Sequence, residues 1–181
     1  HCLFSREKDG HTDLLVVYVD DVLVTSTGGK DRSNAQLDEL GTKFSIKKLG
    51  ITTHILGIGV HQGENCTTLD QSAYLKTVLS DNKFIEAKPK GTPWDSRLVE
   101  DKELLGKSEI ALYRRVVGQL MYLATITRPD IAFAVGRAAS GMATPTRGHW
   151  ARTKRILRYL SGTAHGHLRY ERGVRDPTLT T

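Results

Sequence analysis

The chain has 181 residues, of which 39% are hydrophobic and 25% charged, with a formal net charge of +6. That balance suits an ordinary folded protein of one large or two small domains, and no apolar run approaches the roughly 20 residues of a membrane-spanning helix, so no membrane partner is expected. Two cysteines, Cys2 and Cys66, are too few for a disulfide framework and point to an intracellular setting.

The opening segment, HCLFSREKDGHTD, has no signal-peptide pattern and no initiator Met, as expected if the sequence begins inside a longer protein. The stretch LLVVYVDDVLVTS reads as a hairpin with strands at 14–19 and 22–26, apolar enough for a sheet interior. Asp9 and Asp13 are placed in a turn ahead of it. Gly28 and Gly29 match no phosphate-loop spacing and read as a turn. Residues 31–44 are expected to form a surface helix with Asp31 or Ser33 as N-cap. FSIKKLG, at 44–50, reads as a short strand with a glycine stop. Residues 53–61 and 67–70 suggest a second hairpin around QGEN. Next comes a helix capped by Asp70, with Tyr74, Leu75, Val78 and Leu79 on one face. His61 and Cys66, without a second such pair, read as a strand-edge His and a half-buried Cys rather than a metal site.

Residues 85–107 carry two Pro, two Gly and many charges without a period, and are expected to be a linker at a domain boundary. Three helices are expected beyond it. The first, at 108–127, has Ser108 as N-cap, Glu109 in its first turn and Ile110, Tyr113, Val117, Leu120, Met121 and Ala124 as its apolar stripe. The second starts at Pro129 and buries Ile131, Ala134, Val135 and Ala138. The third, at 145–160, buries Trp150, Ile156, Leu157 and Leu160. HGHLRYE then alternates like a strand. The fold class expected is α+β.

Asp20 and Asp21 sit at the centre of the most apolar segment. An Asp pair between strands has an ordinary reading as a turn. The preceding Tyr18-Val19 admits another, because a Tyr-x-Asp-Asp tip on buried strands supplies the hard oxygen donors that Mg2+ takes beside substrate phosphates. Two such ions can activate a 3′-hydroxyl and stabilise leaving pyrophosphate. Successive strand residues point to opposite faces, so a further carboxylate on a neighbouring strand is needed. The sequence offers no apolar strand with a suitable one.

The excess charge is local. Residues 1–144 hold 18 basic and 18 acidic residues; residues 145–175 hold 8 basic and 1 acidic, and Asp176 returns the total to +6. Arg147, Arg152, Lys154, Arg155 and Arg158 crowd the third predicted helix on stripes opposite Trp150 and Leu157. They read either as a solvated face or as contacts to a phosphate backbone. Arg114 and Arg115 are weaker candidates, and His149 and Trp150 read as packing residues.

VYVDDVLVTS, FSIKKLG, ILGI, YRRVVGQLMYLATITRPDIAFAV and HWARTKRILRYLSGT occur in the order found in copia-type long-terminal-repeat retrotransposon reverse transcriptases, and the sequence resembles that family from residue 1 to about residue 170. The resemblance implies a partial polymerase palm over 1–84, a linker at 85–107, a helical thumb and connection region over 108–170, and a tail at 171–181 leading toward an RNase H domain. It implies an RNA-directed DNA polymerase using two Mg2+ ions (or Mn2+), deoxynucleoside triphosphates, an RNA template and a DNA primer. Asp20 would be the principal catalytic and metal-holding residue and Asp21 the supporting one. Tyr18, Val19, Leu56 and Gly57 would touch primer or template. Ile55 stands where the family usually has an aromatic, and Lys48 where it has an acidic residue.

The family's first catalytic Asp lies upstream of this hairpin, with the fingers, and its RNase H lies downstream. The remainder of a Pol polyprotein is thus an implied partner, in a cytoplasmic particle or the nucleus, and the chain by itself is expected to be inactive. Half a palm is also expected to expose a sheet edge and an apolar face. The alternative is a non-catalytic nucleic-acid-binding remnant of a decayed element.

Overall fold

The computed structural model describes residues 2–98 and 101–173, which form two compact units divided between Thr52 and Thr53. The fold class is α+β. The tail expected from residue 171 lies outside the described residues from position 174 onward.

The first unit is a three-stranded antiparallel sheet with one helix: β1 (Leu3–Lys8), β2 (His11–Tyr18), β3 (Asp21–Ser26) and α1 (Gly29–Gly41), with strand order β1-β2-β3. Asp9 and Gly10 make the first turn with φ of +54° and +75°, the left-handed pair that a two-residue hairpin of this hand demands. Asp13 is therefore not in a turn, as expected above, but inside β2 opposite Ser26.

Asp13 is 4% exposed and is the joint of this unit. Arg32 of α1 donates to it through Nε at 2.8 Å and a terminal nitrogen at 3.2 Å. Ser26 of β3 donates at 2.7 Å, and Arg6 of β1 at 3.3 and 3.4 Å. One carboxylate on β2 thus bonds to the three other elements of the unit. Among the described residues of this unit, the fully buried side chains are polar, Asp13 and Gln36, while Leu3, Phe4, Tyr18, Val19 and Val22 are exposed. The strands read as a sheet interior are half-buried, because a single short helix covers one face.

The second unit holds β4 (His54–Ile55), β5 (Ile58–Gln62), β6 (Cys66–Asp70), α2 (Ser72–Asp81), α3 (Lys107–Ile126), a 3-10 turn (Pro129–Ile131), α4 (Ala132–Ala139), α5 (Arg147–Gly162) and β7 (Leu168–Glu171). Its sheet is antiparallel in the order β4-β5-β6-β7. Its core lies among the helices: Leu75, Val78 and Leu79 of α2 meet Tyr113, Val117, Leu120 and Leu123 of α3, Ala134 and Val135 of α4, and Ile156, Leu157 and Leu160 of α5. The Tyr113 hydroxyl donates to the carbonyl of Ala138 at 2.6 Å, so the polar end of this core side chain is satisfied. Arg128, itself buried, donates to Asp130 at 2.7 Å and to both the carbonyl and the hydroxyl of Thr163, pinning the α3–α4 corner to the end of α5.

Several expected boundaries shift. Gly28, not Asp31 or Ser33, occupies the N-cap of α1, and Ser33 Oγ instead donates back to the carbonyl of Gly29. Residues 44–50 form no strand. The expected strand at 53–61 is broken by a tight turn at Leu56-Gly57. Gln71 is the N-cap of α2, though Asp70 still accepts from the Ser72 N–H at 2.8 Å. Gly106 caps α3, where the Glu109 carboxylate accepts the Gly106 N–H at 3.0 Å. Met121 is exposed and Val116 takes its place in the core, a rotation of the expected stripe.

The expected boundary at 85–107 is not where the units divide. Its described residues, 85–98 and 101–107, belong to the second unit and run antiparallel along α5 as a strap. Ser161 Oγ donates to the Ala87 carbonyl at 3.3 Å and the Lys90 N–H to the Arg158 carbonyl at 3.2 Å. Farther along, the Gly148 and Arg147 N–H groups donate to the carbonyls of Asp101 and Glu103, and the Leu105 N–H to that of Pro145. A Cβ on Gly148 would meet the Asp101 backbone at 2.7 Å, and one on Gly162 the Pro89 ring at 2.8 Å, so glycine at both ends of α5 admits the strap. Charge and proline content mark this segment as irregular without marking it as free.

The Arg32 guanidinium bonded to Asp13, with Ser26 and Arg6, holds its carboxyl far below the usual carboxylate range. A carboxylate with a depressed folded-state pKa lends stability in full above its unfolded value of about 3.9, and loses it as pH falls through that value toward the folded one. Asp13→Asn is expected to lower the urea midpoint of the first unit at pH 7. It should also flatten the loss of stability between about pH 5 and pH 2 relative to wild type, followed by circular dichroism.

Candidate active site

Residues 18–21 form the tip of the β2–β3 hairpin. Tyr18 pairs with Asp21, leaving Val19 and Asp20 as a two-residue loop. Val19 is 82% exposed with φ +53°. Positive φ at the first loop position matches the right-handed twist of the flanking strands, but it is a conformation that β-branched residues avoid. Asp21 is in the strand and shares the face of Tyr18, Val16 and Leu23, away from the face on which α1 lies beside Asp13 and Leu15. Asp20 belongs to the loop.

Both carboxylates are exposed, and neither bonds to another side chain among the described residues. This donor chemistry fits a divalent cation that takes one or two protein carboxylates and completes its shell with substrate oxygens and water. Among the described residues, no group of three His, Cys, Asp or Glu side chains is placed to hold a metal. Asp13, the other acid of the hairpin, sits at the opposite end of β2 and spends both oxygens on Arg32, Arg6 and Ser26.

Leu56 and Gly57 form a second tight tip, between β4 and β5, in the other unit. Their φ values are +51° and +75°, and Ile55 pairs with Ile58 across them. Tyr122 of α3 donates its hydroxyl to the Leu56 carbonyl and stacks edge-on against Tyr74 of α2, with ring centroids 5.1 Å apart. The tip is thereby anchored on the helical core. His61 pairs with Asp70 at 2.6 Å, while Cys66 is half-buried.

The five basic residues of α5 are mostly occupied. Arg152 donates to the Leu98 carbonyl at 3.3 Å and lies over the Trp94 ring at 5.3 Å. Arg155 donates to the Thr92 carbonyl and hydroxyl at 3.1 and 2.9 Å, and approaches Asp95 at 3.5 Å. Arg158 donates through Nε to the Lys88 carbonyl at 2.9 Å. Arg147 pairs with Glu103 at 2.9 Å. Lys154 is exposed, with its ammonium 5.9 Å from the Trp150 ring centroid. The arginines therefore hold the strap before they can hold anything else. Of the other candidates, Arg114 donates to the Met142 and Ala143 carbonyls, His149 bonds Thr146, and Trp150 packs edge-on against Tyr113.

Residues 1–96 match the family described as reverse transcriptase (RNA-dependent DNA polymerase). The chain belongs to this family, and within it to the copia-like retrotransposon type. It is 37% identical over 169 residues to the retrovirus-related Pol polyprotein from transposon RE1 of Arabidopsis thaliana, covering 91% of this chain and 11% of that protein. It is 35% identical over 187 residues to the one from transposon TNT 1-94 of Nicotiana tabacum, covering 97% of this chain and 14% of that protein. An uncharacterized mitochondrial protein of Arabidopsis thaliana is 34% identical over 84% of this chain and 63% of its own length. The chain thus spans about a tenth to a seventh of the length of these transposon polyproteins. No solved structure matches it. No helix among the described residues is long and apolar enough to cross a membrane.

Two outcomes check this geometry. Val19→Gly is expected to raise the stability of the first unit by about 1 kcal/mol, because glycine adopts positive φ without steric cost; equilibrium urea unfolding measures it. Arg158→Ala is expected to free the strap, read as faster tryptic cleavage within residues 88–97 while cleavage at Lys30 in α1 keeps its rate.

Proposed function

We propose that the chain supplies the Tyr18–Asp21 hairpin of the polymerising centre of a retrotransposon RNA-directed DNA polymerase. The observation that carries this is the pair of exposed carboxylates, free of other side-chain partners among the described residues, at the tip of a hairpin whose opposite end is locked by Asp13. Asp20 and Asp21 would hold divalent metal, Mg2+ or Mn2+, as two ions. When bound, that metal would favour deprotonation of a primer 3′-hydroxyl and offset charge on a leaving pyrophosphate.

The chain's own residues have simpler work. Asp20, in the two-residue loop, presents its carboxylate beyond the end of the strands. Asp21, fixed by its register with Tyr18, presents its carboxylate from the exposed sheet face. Tyr18 and Val19 are positioned to touch a primer or template, and Leu56 and Gly57 would do so from the second unit. In this reading residues 1–84 are palm, residues 108–170 are thumb and connection, and the basic helix α5 meets a nucleic-acid backbone. The substrates would be an RNA template, a DNA primer and deoxynucleoside triphosphates. The remaining regions of a Pol polyprotein would supply the fingers, the further metal-holding acid and an RNase H, inside a cytoplasmic particle or the nucleus.

A second reading is a nucleic-acid-binding remnant without catalysis. It is favoured by the absence, among the described residues, of a third acid beside Asp20 and Asp21. Primer extension on an RNA template separates the two. In a longer polymerase containing this chain, Asp20→Asn is expected to lower the extension rate by about 1,000-fold or more while primer–template affinity stays within about threefold. A near-normal rate removes Asp20 from the centre. The 181-residue chain alone is expected to give no extension with Mg2+ or Mn2+, and robust extension would show that no further acid is required.

A further inference from the structure

The β4–β5 hairpin has little pairing of its own. Strand β4 is two residues long and lies at the edge of its sheet. Only His54 with Gly59 and Ile55 with Ile58 pair across the turn, and the Val60 N–H donates to the Thr53 carbonyl beyond them. Both turn residues are left-handed, a conformation that costs Leu56, whose side chain is exposed and gains little burial in return. A hairpin this short frays unless something outside it fixes the tip.

Tyr122 supplies that fixture. Its hydroxyl donates to the Leu56 carbonyl, and a Cβ on Gly57 would lie 3.3 Å from the same hydroxyl oxygen, so the glycine leaves room for it over the turn. The ring is held in turn by Tyr74, edge-on with centroids 5.1 Å apart. Leu123 and Leu75, the next residues of α3 and α2, are buried in the core, so both rings stand on packed helices. Phenylalanine at position 122 would pack against Tyr74 as well. Only the bond to Leu56 calls for a hydroxyl, and that bond reaches the hairpin tip rather than the core.

We propose that Tyr122 is a positioning residue for primer binding: it acts through Leu56 and Gly57, holding their tip in the shape that meets the primer strand. The inference rests on the reading above, in which this tip touches primer or template, and it adds the residue that sets the geometry of the tip. A tip ordered before binding loses less freedom when it binds, so removing the bond weakens primer–template binding while leaving Asp20 and Asp21 intact. A loss shared equally by ground state and transition state raises KM and leaves kcat unchanged.

Primer extension on an RNA template, in a longer polymerase containing this chain, provides the test. Tyr122→Phe is expected to raise KM for primer–template about fivefold, with kcat within about twofold of wild type. Tyr113→Phe is the comparison, because it also removes a hydroxyl that donates to a carbonyl, but one inside the core, that of Ala138. It is expected to lower the melting temperature and to leave KM unchanged. A KM unchanged in Tyr122→Phe, or raised equally in both variants, overturns the proposal.

In the 181-residue chain, the Val60 amide is expected to exchange with solvent about tenfold faster in Tyr122→Phe, while the Leu157 amide of α5 keeps its rate. Unchanged exchange at Val60 also overturns the proposal, whether or not the longer variant folds. A disulfide tether separates this inference from the reading beneath it. Leu56→Cys, combined with Cys2→Ser and Cys66→Ser, is expected to trap a primer that carries an activated disulfide near its 3′ end. No trapping overturns the primer contact of the tip and this inference with it. Trapping together with an unchanged KM in Tyr122→Phe overturns this inference alone.

Discussion

A polypeptide that runs in irregular conformation over a protein surface must find donors for its carbonyl oxygens, because a buried orphan carbonyl costs as much as a lost hydrogen bond. In this chain arginine meets that demand repeatedly. Arg152, Arg155 and Arg158 reach from α5 to the carbonyls of Leu98, Thr92 and Lys88; Arg128 reaches the carbonyl of Thr163, and Arg114 those of Met142 and Ala143. In the first unit Arg32 donates to the carbonyl of Lys8 as well as to Asp13. The planar guanidinium offers several donors in a fixed fork, so one side chain can bind backbone on one edge and a carboxylate or ligand on another. Lysine could not replace it at these sites without loss.

This use of arginine explains what was legible in the sequence and what was not. The helical periodicities located α2 to α5 well, because Leu75, Val78, Ile131, Ala134 and Leu157 recur at steps that a packed helix requires. The motifs that carry the family resemblance turn out to be largely packing instructions. In HWARTKRILRYLSGT, Trp150 meets Tyr113, Ile156, Leu157 and Leu160 enter the core, Gly162 admits Pro89, and Thr163 receives Arg128. Their basic residues were visible as charge, but the strap carbonyls that Arg152, Arg155 and Arg158 meet were not. Strand β1 was missed although the Asp9-Gly10 pair that turns it into β2 was visible, since polar residues between Phe4 and Leu14 obscured the alternation. The helix caps of α1, α2 and α3 were misplaced by one to five residues, because a glycine or glutamine stood in for the expected Ser or Asp.

The candidate site was legible as a motif but not as geometry. The sequence placed Asp20 and Asp21 at a hairpin tip; only the register reveals that one is a loop residue and the other a strand residue on the Tyr18 face. The two hairpins singled out by the resemblance share a further trait. Each has a bulky apolar residue, Val19 or Leu56, at φ near +50°. Such conformations persist where surrounding structure overdetermines them, and they often mark places where backbone shape matters more than local stability. The first unit has little apolar burial with which to enforce this. Its buried charge cluster at Asp13 fixes the far end of the hairpin instead.

The sheet of the second unit has a consequence for how the chain is made. Strands β4 to β6 end at Asp70, but their last neighbour, β7, begins only at Leu168. A ribosome adding roughly 5–20 residues per second would leave the β6 edge without its partner for about 5–20 seconds. An unpaired strand edge is a template for another chain. The three strands of the first unit pair with one another within residues 3–26, so their pairing involves no such wait. Order of emergence therefore makes β6 the point at which nascent chains on one message are most exposed to each other, and gives a chaperone that shields extended segments a defined interval in which to act.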